Sequence, residues 1–132
     1  MTKQDYINYW LTTAKEDLET AQSLFDSEKY VWALFIAHLA LEKLFKAFWV
    51  RNNDSNFPPK THDLNRVLSE TDLVFSDNEK EFFTDVTSFN LEVRYPDYKR
   101  KFNTICTKEF ANKYLLKIRN LFECTLEKIY MI

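Results

Sequence analysis

The stretch YVWALFIAHLALEKLFKAFWVR, residues 30–51, carries two apolar faces at helical spacing rather than one. Val31, Leu34, His38, Leu41, Phe45 and Phe48 form one stripe, and Ala33, Ala37, Ala40, Leu44 and Ala47 form a second. A helix with one side in water needs a single stripe. Two stripes need neighbours on two sides, and the alanines let one neighbour approach closely. The polar residues Glu42, Lys43 and Lys46 fall only in the second half of the segment. This segment is predicted to be the central helix of a bundle, with the surrounding helices supplied by the rest of the chain.

Those helices are legible. Ile7, Trp10, Leu11, Ala14, Leu18, Ala21 and Phe25 mark one amphipathic helix that breaks at Ser27-Glu28-Lys29. Residues 52–60, NNDSNFPPK, read as a loop. Thr61 is predicted to cap a short third helix running to about Thr71, with Asp63 in its first turn at the positive dipole end. Ser76 or Asp77 caps a fourth, where Phe82, Phe83, Val86, Phe89, Asn90 and Val93 repeat at helical spacing. Pro96 is expected to end it, because the residue before a proline avoids the α region. A last helix, about Thr107 to Tyr130, carries Phe110, Tyr114, Ile118, Leu121, Thr125 and Ile129 on one side. With no repeats and no linker, residues 1–132 read as one domain: an all-α, up-and-down bundle of four to five helices.

Composition narrows the function. Glycine is absent from all 132 residues, which removes glycine-rich phosphate loops and the dinucleotide fingerprint, both of which need close backbone approach. Cys106 and Cys124 have no CxxC partner, and with two histidines in the chain they are too few for a structural zinc site. One disulfide is open to them, but two reduced, helix-borne thiols is the reading adopted. No metal and no cofactor are called for. No apolar run is long enough to span a bilayer and the N-terminus has no apolar targeting segment, so the expectation is a soluble, cytoplasmic protein with no membrane partner. Net charge is −2; any nucleic-acid binding must come from a local patch.

One patch fits. In FNLEVRYPDYKRK, residues 89–101, four cations (Arg94, Lys99, Arg100 and Lys101) lie within eight residues, interleaved with Tyr95 and Tyr98. Guanidinium groups clasp phosphate bidentately and tyrosines stack on bases. The alternative is local: Arg94 in a last helical turn favours the negative dipole end, Pro96 stops the helix, and Asp97 pairs with a neighbouring cation. Glu42 and Lys46, at i and i+4 with the acid first, read as a helix-surface ion pair; the functional alternative puts Glu42, Lys43 and Lys46 at the border of a pocket near Arg94.

Three stretches together carry a resemblance: WLTTAKEDLETAQSLF followed by KYVWALFIAHLALEKLFKAFW, then PPKTHDLNRVL, then RYPDY. In that order and spacing the chain resembles the HEPN domain family. The resemblance implies a bundle of four or five helices paired as a homodimer. It also implies a gene neighbour encoding a minimal nucleotidyltransferase, in a module of toxin–antitoxin type, and a nucleotide or RNA pocket lined by Arg94, Tyr95 and Asp97. Many members are metal-independent ribonucleases using an Arg-x4–6-His motif from both protomers. Here the residues after Arg94 are YPDYKRKF, and no histidine follows. Cleavage of this kind needs a group that titrates near neutrality, so the expectation leans away from an enzyme and toward a binding component.

Both histidines lie upstream. His38 on the central helix and His62 at the start of the third read first as structural, and as accessory site residues only where they reach Arg94 in space. Phe82, Phe83, Phe89, Trp32, Phe35, Phe48 and Trp49 exceed what one face per helix easily hides, so some of them are expected at a dimer interface.

Overall fold

The computed structural model describes residues 1–130. Its helices are α1 (Lys3–Asp26), α2 (Tyr30–Asn52), α3 (Leu64–Leu68), α4 (Asp77–Arg94), α5 (Pro96–Ile105) and α6 (Lys108–Lys128). The four long helices make an up-and-down bundle in which α2 packs on α1, α3, α4 and α6. Both stripes of α2 are used. Ala33, Ala37, Ala40, Leu44 and Ala47 are fully buried, as are Leu34, Leu41, Phe45 and Phe48. Phe45, Phe75 and Phe83 meet with ring centroids 5.0 to 6.0 Å apart and join α2 to α4.

Local chemistry sets the ends. Thr2 and Asp5 form a capping box on α1, and Ser76 with Glu79 forms another on α4. The Thr2 backbone N–H donating to the Asp5 carboxylate is the main reason that acid's pKa is lowered. Thr107 caps α6 through a bond to the Phe110 N–H. Two C-termini are closed from far away in sequence. Lys3 Nζ donates to the carbonyls of Val50 (2.9 Å) and Asn53 (2.7 Å) at the end of α2. Arg51 Nη1 donates to those of Lys128 (3.1 Å) and Ile129 (3.2 Å) at the end of α6. Each cation meets carbonyls that have no helical partner, at the negative end of the dipole.

One expectation is corrected and another is extended. The third helix is Leu64–Leu68, shorter than Thr61–Thr71. Asp63 is its cap, accepting from the Asn65 and Arg66 N–H groups, while Thr61 Oγ1 accepts from the Asp63 N–H before the helix begins. His62 therefore sits ahead of the helix rather than in it. Pro96 does close α4, but it also opens α5 as that helix's first residue, where a missing N–H costs nothing. Of the aromatics assigned partly to an interface, Phe48, Phe82, Phe83, Phe89 and Trp49 are in the core. Only Trp32, 43% exposed, and half-buried Phe35 retain open surface.

The α1–α2 turn shows what the missing glycine costs. The Lys29 N–H donates to the Leu24 carbonyl (2.8 Å) and the Glu28 N–H to that of Phe25 (3.0 Å), the Schellman pattern that usually places glycine where Glu28 stands. Glu28 has φ of 63°. A side chain in the left-handed region costs about 1–2 kcal/mol, more than glycine's extra chain entropy. Glu28→Gly is expected to stabilise the protein by roughly 0.5–1 kcal/mol, read as a higher urea midpoint. A lower midpoint would show that the Glu28 side chain stabilises the turn by more than its strain costs.

Candidate functional site

The α4–α5 corner holds the first group of predicted residues. Tyr95 is extended (φ −108°, ψ 125°), so the chain bends between the two helices. The Lys99 N–H returns to the Tyr95 carbonyl at 2.9 Å. Tyr95 and Tyr98 are half exposed and meet edge to face with centroids 6.4 Å apart. Lys99 Nζ lies 4.4 Å from the centre of the Trp32 ring, which ties α5 to the start of α2. Arg94, Asp97, Arg100 and Lys101 are exposed. Among the described residues the Arg94 side chain makes no hydrogen bond or ion pair, and Asp97 is not paired with a cation. Beneath, Phe102 and Cys106 anchor α5. Burial pushes the Cys106 thiol up to about 11, so it is an inert packing group. Neither cysteine is disulfide-bonded, and Cys124 is exposed.

The second group is a chain of polar side chains within the bundle. Glu42 is 5% exposed and Lys46 is 7% exposed, so their 3.0 Å pair is an interior one rather than the surface pair expected. The Lys46 ammonium also lies over Trp10 of α1 at 5.6 Å. The other Glu42 oxygen meets His62 Nδ1 at 2.8 Å. His38, fully buried, points Nε2 at the His62 carbonyl, 2.8 Å away. A carbonyl only accepts, so His38 carries its proton on Nε2, and its buried Nδ1 has no partner. Desolvation holds the His38 pKa below its ordinary value. Lys43 is bound to Asp17 of α1 at 2.6 Å. Lys43 and Lys46 therefore have their own carboxylates, and they stand about 16–21 Å along α2 from Trp32. They do not join the Arg94 corner.

His62 comes closer. The 62–65 segment runs up α4: the Asn65 amide donates to the Lys80 carbonyl (2.9 Å) and to Thr84 Oγ1 (3.1 Å), and the Leu64 N–H donates to Thr87 Oγ1 (3.2 Å). Trp32, Asp17 and Trp10 take part in these contacts without having been singled out as site residues. Their signal is purely tertiary, since nothing local distinguishes them from other helical aromatics and acids. Among the described residues no group of three His, Cys, Asp or Glu side chains forms a metal site, and no helix is long and apolar enough to cross a membrane.

The family model for the HEPN domain matches residues 7–129. The chain belongs to the HEPN domain family. Among solved structures, the crystal structure of TT1696 from Thermus thermophilus superposes with a TM-score of 0.77 at 22% identity, covering 92% of this chain and 97% of that one. At that identity the likeness is one of fold. No curated protein matches the chain.

The interior network makes this HEPN chain sensitive to acid. A buried His38 with a lowered pKa contributes stability that is fully present above about pH 6.5 and is lost as the pH falls from there through its folded-state value. Glu42, His62 and Lys46 are the charged or titratable groups facing it. The urea midpoint is expected to hold between pH 8 and 7 and to fall between about pH 6.5 and 5, with a shallower fall in His38→Gln. Equal slopes for the two proteins would remove His38 from the account.

Proposed function

We propose that this HEPN protein is a binding component that recognises single-stranded RNA or a nucleotide through the α4–α5 corner. The observation that carries the reading is Arg94: an exposed guanidinium with no internal partner among the described residues, beside two half-exposed tyrosines and near Lys99, Arg100 and Lys101. A cation that only terminated a helix would be expected to rest on the last carbonyls. Phosphate supplies the counter-charge that the described residues withhold, and Tyr95 and Tyr98 offer faces for stacking. Asp97 narrows the choice of ligand, since it repels a phosphate placed over the start of α5 and favours a base or sugar there.

The same reading takes the whole chain as one domain that acts as a homodimer. Leu91, Tyr95, Tyr98 and Ile105 on α4 and α5, with Trp32 on α2, leave large apolar side chains exposed near one corner. Pairing through part of this surface sets Arg94 at the rim of a shared groove. Family resemblance supports a minimal nucleotidyltransferase as partner, within a module of toxin–antitoxin type.

Fluorescence anisotropy with a labelled, mixed-sequence single-stranded RNA tests the site. Arg94→Ala is expected to weaken binding about tenfold, in line with loss of one charge-assisted contact, and added salt should weaken the wild type progressively. Lys43→Ala, which breaks the pair with Asp17, should leave affinity near that of wild type. Equal affinity for Arg94→Ala and wild type would place the ligand elsewhere.

A further inference from the structure

We propose that an aromatic pocket between the start of α1 and the loop after α2 binds a small, free quaternary ammonium compound. The pocket lies at the C-terminal end of α2, away from the α4–α5 corner, and is independent of the RNA-binding reading.

Three of its rings come from one helix face. Tyr6, Tyr9 and Trp10 stand at i, i+3 and i+4 on α1, where side chains are neighbours. Asn56, Phe57 and Pro58 of the loop complete the walls of a cavity of about 200 Å³. The loop is fastened there by bonds outside the cavity lining. Lys3 Nζ donates to the carbonyls of Val50 (2.9 Å) and Asn53 (2.7 Å), and the Phe57 N–H donates to Ser55 Oγ (3.1 Å). Even so, Tyr9 is 56% exposed and Phe57 70% exposed. The scaffold therefore holds large rings open to a ligand rather than closing them into the core.

Ring geometry selects a compact ligand. Tyr6 and Phe57 meet at 5.4 Å with planes 70° apart, and Tyr9 and Trp10 at 5.5 Å with planes 75° apart. Rings turned across one another enclose a rounded group, whereas a flat base or cofactor ring needs parallel faces on which to stack. The cavity is also smaller than the roughly 300–1,000 Å³ of clefts that take drug-sized molecules.

Charge selects a methylated cation. Among the described residues no charged side chain lines the pocket. A phosphate, a carboxylate or a primary ammonium would give up strong hydration there with no ion to answer it. A quaternary ammonium is weakly hydrated and presents its charge through apolar methyl groups, which suits the negative faces of aromatic rings. Trp10 already attracts one cation, since the Lys46 ammonium lies 5.6 Å from its ring centre. Lys46 is neutralised by Glu42 at 3.0 Å, and Lys3 is engaged by backbone carbonyls. Asn56 adds a buried amide oxygen with no hydrogen-bond partner. Asp5 and Asp54, exposed on the two walling elements, favour positive charge and oppose the phosphate of a lipid headgroup. A free compound is therefore the ligand rather than a membrane surface.

Choline is the probe, titrated at constant ionic strength while the Trp10 indole N–H resonance is followed. Wild type is expected to show a saturable shift. The alcohol 3,3-dimethyl-1-butanol, which has the shape of choline without its charge, should bind at least about fivefold more weakly. Tyr9→Ala and Phe57→Ala should each weaken choline binding about threefold or more, while Tyr9→Phe keeps it. Both positions are exposed, so the urea midpoints should stay near that of wild type. Vesicles of phosphatidylcholine, which present the same cation on a surface, should leave the protein in the supernatant. Equal affinity for choline and the neutral alcohol overturns the proposal, as does choline that causes no saturable shift. Folded Tyr9→Ala and Phe57→Ala that bind like wild type overturn it too, and so does a protein that pellets with the vesicles and ignores free choline.

Discussion

A carboxylate placed inside a helical bundle has to be answered on both of its oxygens, and Glu42 is answered by Lys46 on one and His62 on the other. The placement of the 61–65 segment depends on that. A buried acceptor left without its partner costs about 1–3 kcal/mol, so the hydrogen bond from His62 to Glu42 holds the 61–65 loop to α2 by more than apolar contact. The same loop hands its backbone to α4 through Leu64 and Asn65. α2 can bear these charges in its interior only because its apolar stripes are packed on several sides, leaving one polar edge to be covered by residues 61–65. A polar network of this kind need not add net stability over a well-packed apolar one; its effect is to set where a half-exposed imidazole stands.

The α4–α5 corner follows from a different constraint. Tyr95 cannot stay helical before Pro96, and Pro96 is well suited to begin a new helix. The chain therefore bends once and resumes, with Phe102 and Cys106 turned into the core and the cations turned out. Lys99 on Trp32 fastens the bend to α2. Arg94, just before the bend, is carried by a rigid helix and has no internal partner among the described residues. Lys3 closes the opposite end of α2, and Arg51 at that end closes α6, which leaves cations near the bend free of that structural duty.

Much of the fold could be read from periodicity. The double stripe of α2 needed neighbours on two sides, the fourth helix starts at Ser76, one of the two caps read for it, and the last starts close to Thr107. The omissions have physical causes. α5 offers little apolar pattern, since Phe102 and Cys106 are its buried anchors and Pro96 reads as a stop. Glu42 and Lys46 at i, i+4 look alike whether water or protein covers them, and only the placement of Trp10 and His62 shows that they are interior. His62 was visible as a residue but its contacts were not, because they reach α2 across twenty or more positions and no local spacing encodes them. Of the seven aromatics, five fit into a core that several helices, not one face each, surround, and Trp32 and Phe35 keep open surface. Membership of the HEPN family was legible from three short stretches.

The account's central claim is that the exposed corner between α4 and α5 meets the nucleic acid. Amide and indole chemical-shift mapping during titration with single-stranded RNA reads that face directly. The account predicts that perturbations gather at Leu91, Arg94, Tyr95, Tyr98 and the Trp32 indole, with residues on the α1–α6 side such as Lys15 and Arg119 unmoved. Perturbations confined to Lys15, Arg119 and their neighbours, with 91–101 silent, would contradict it.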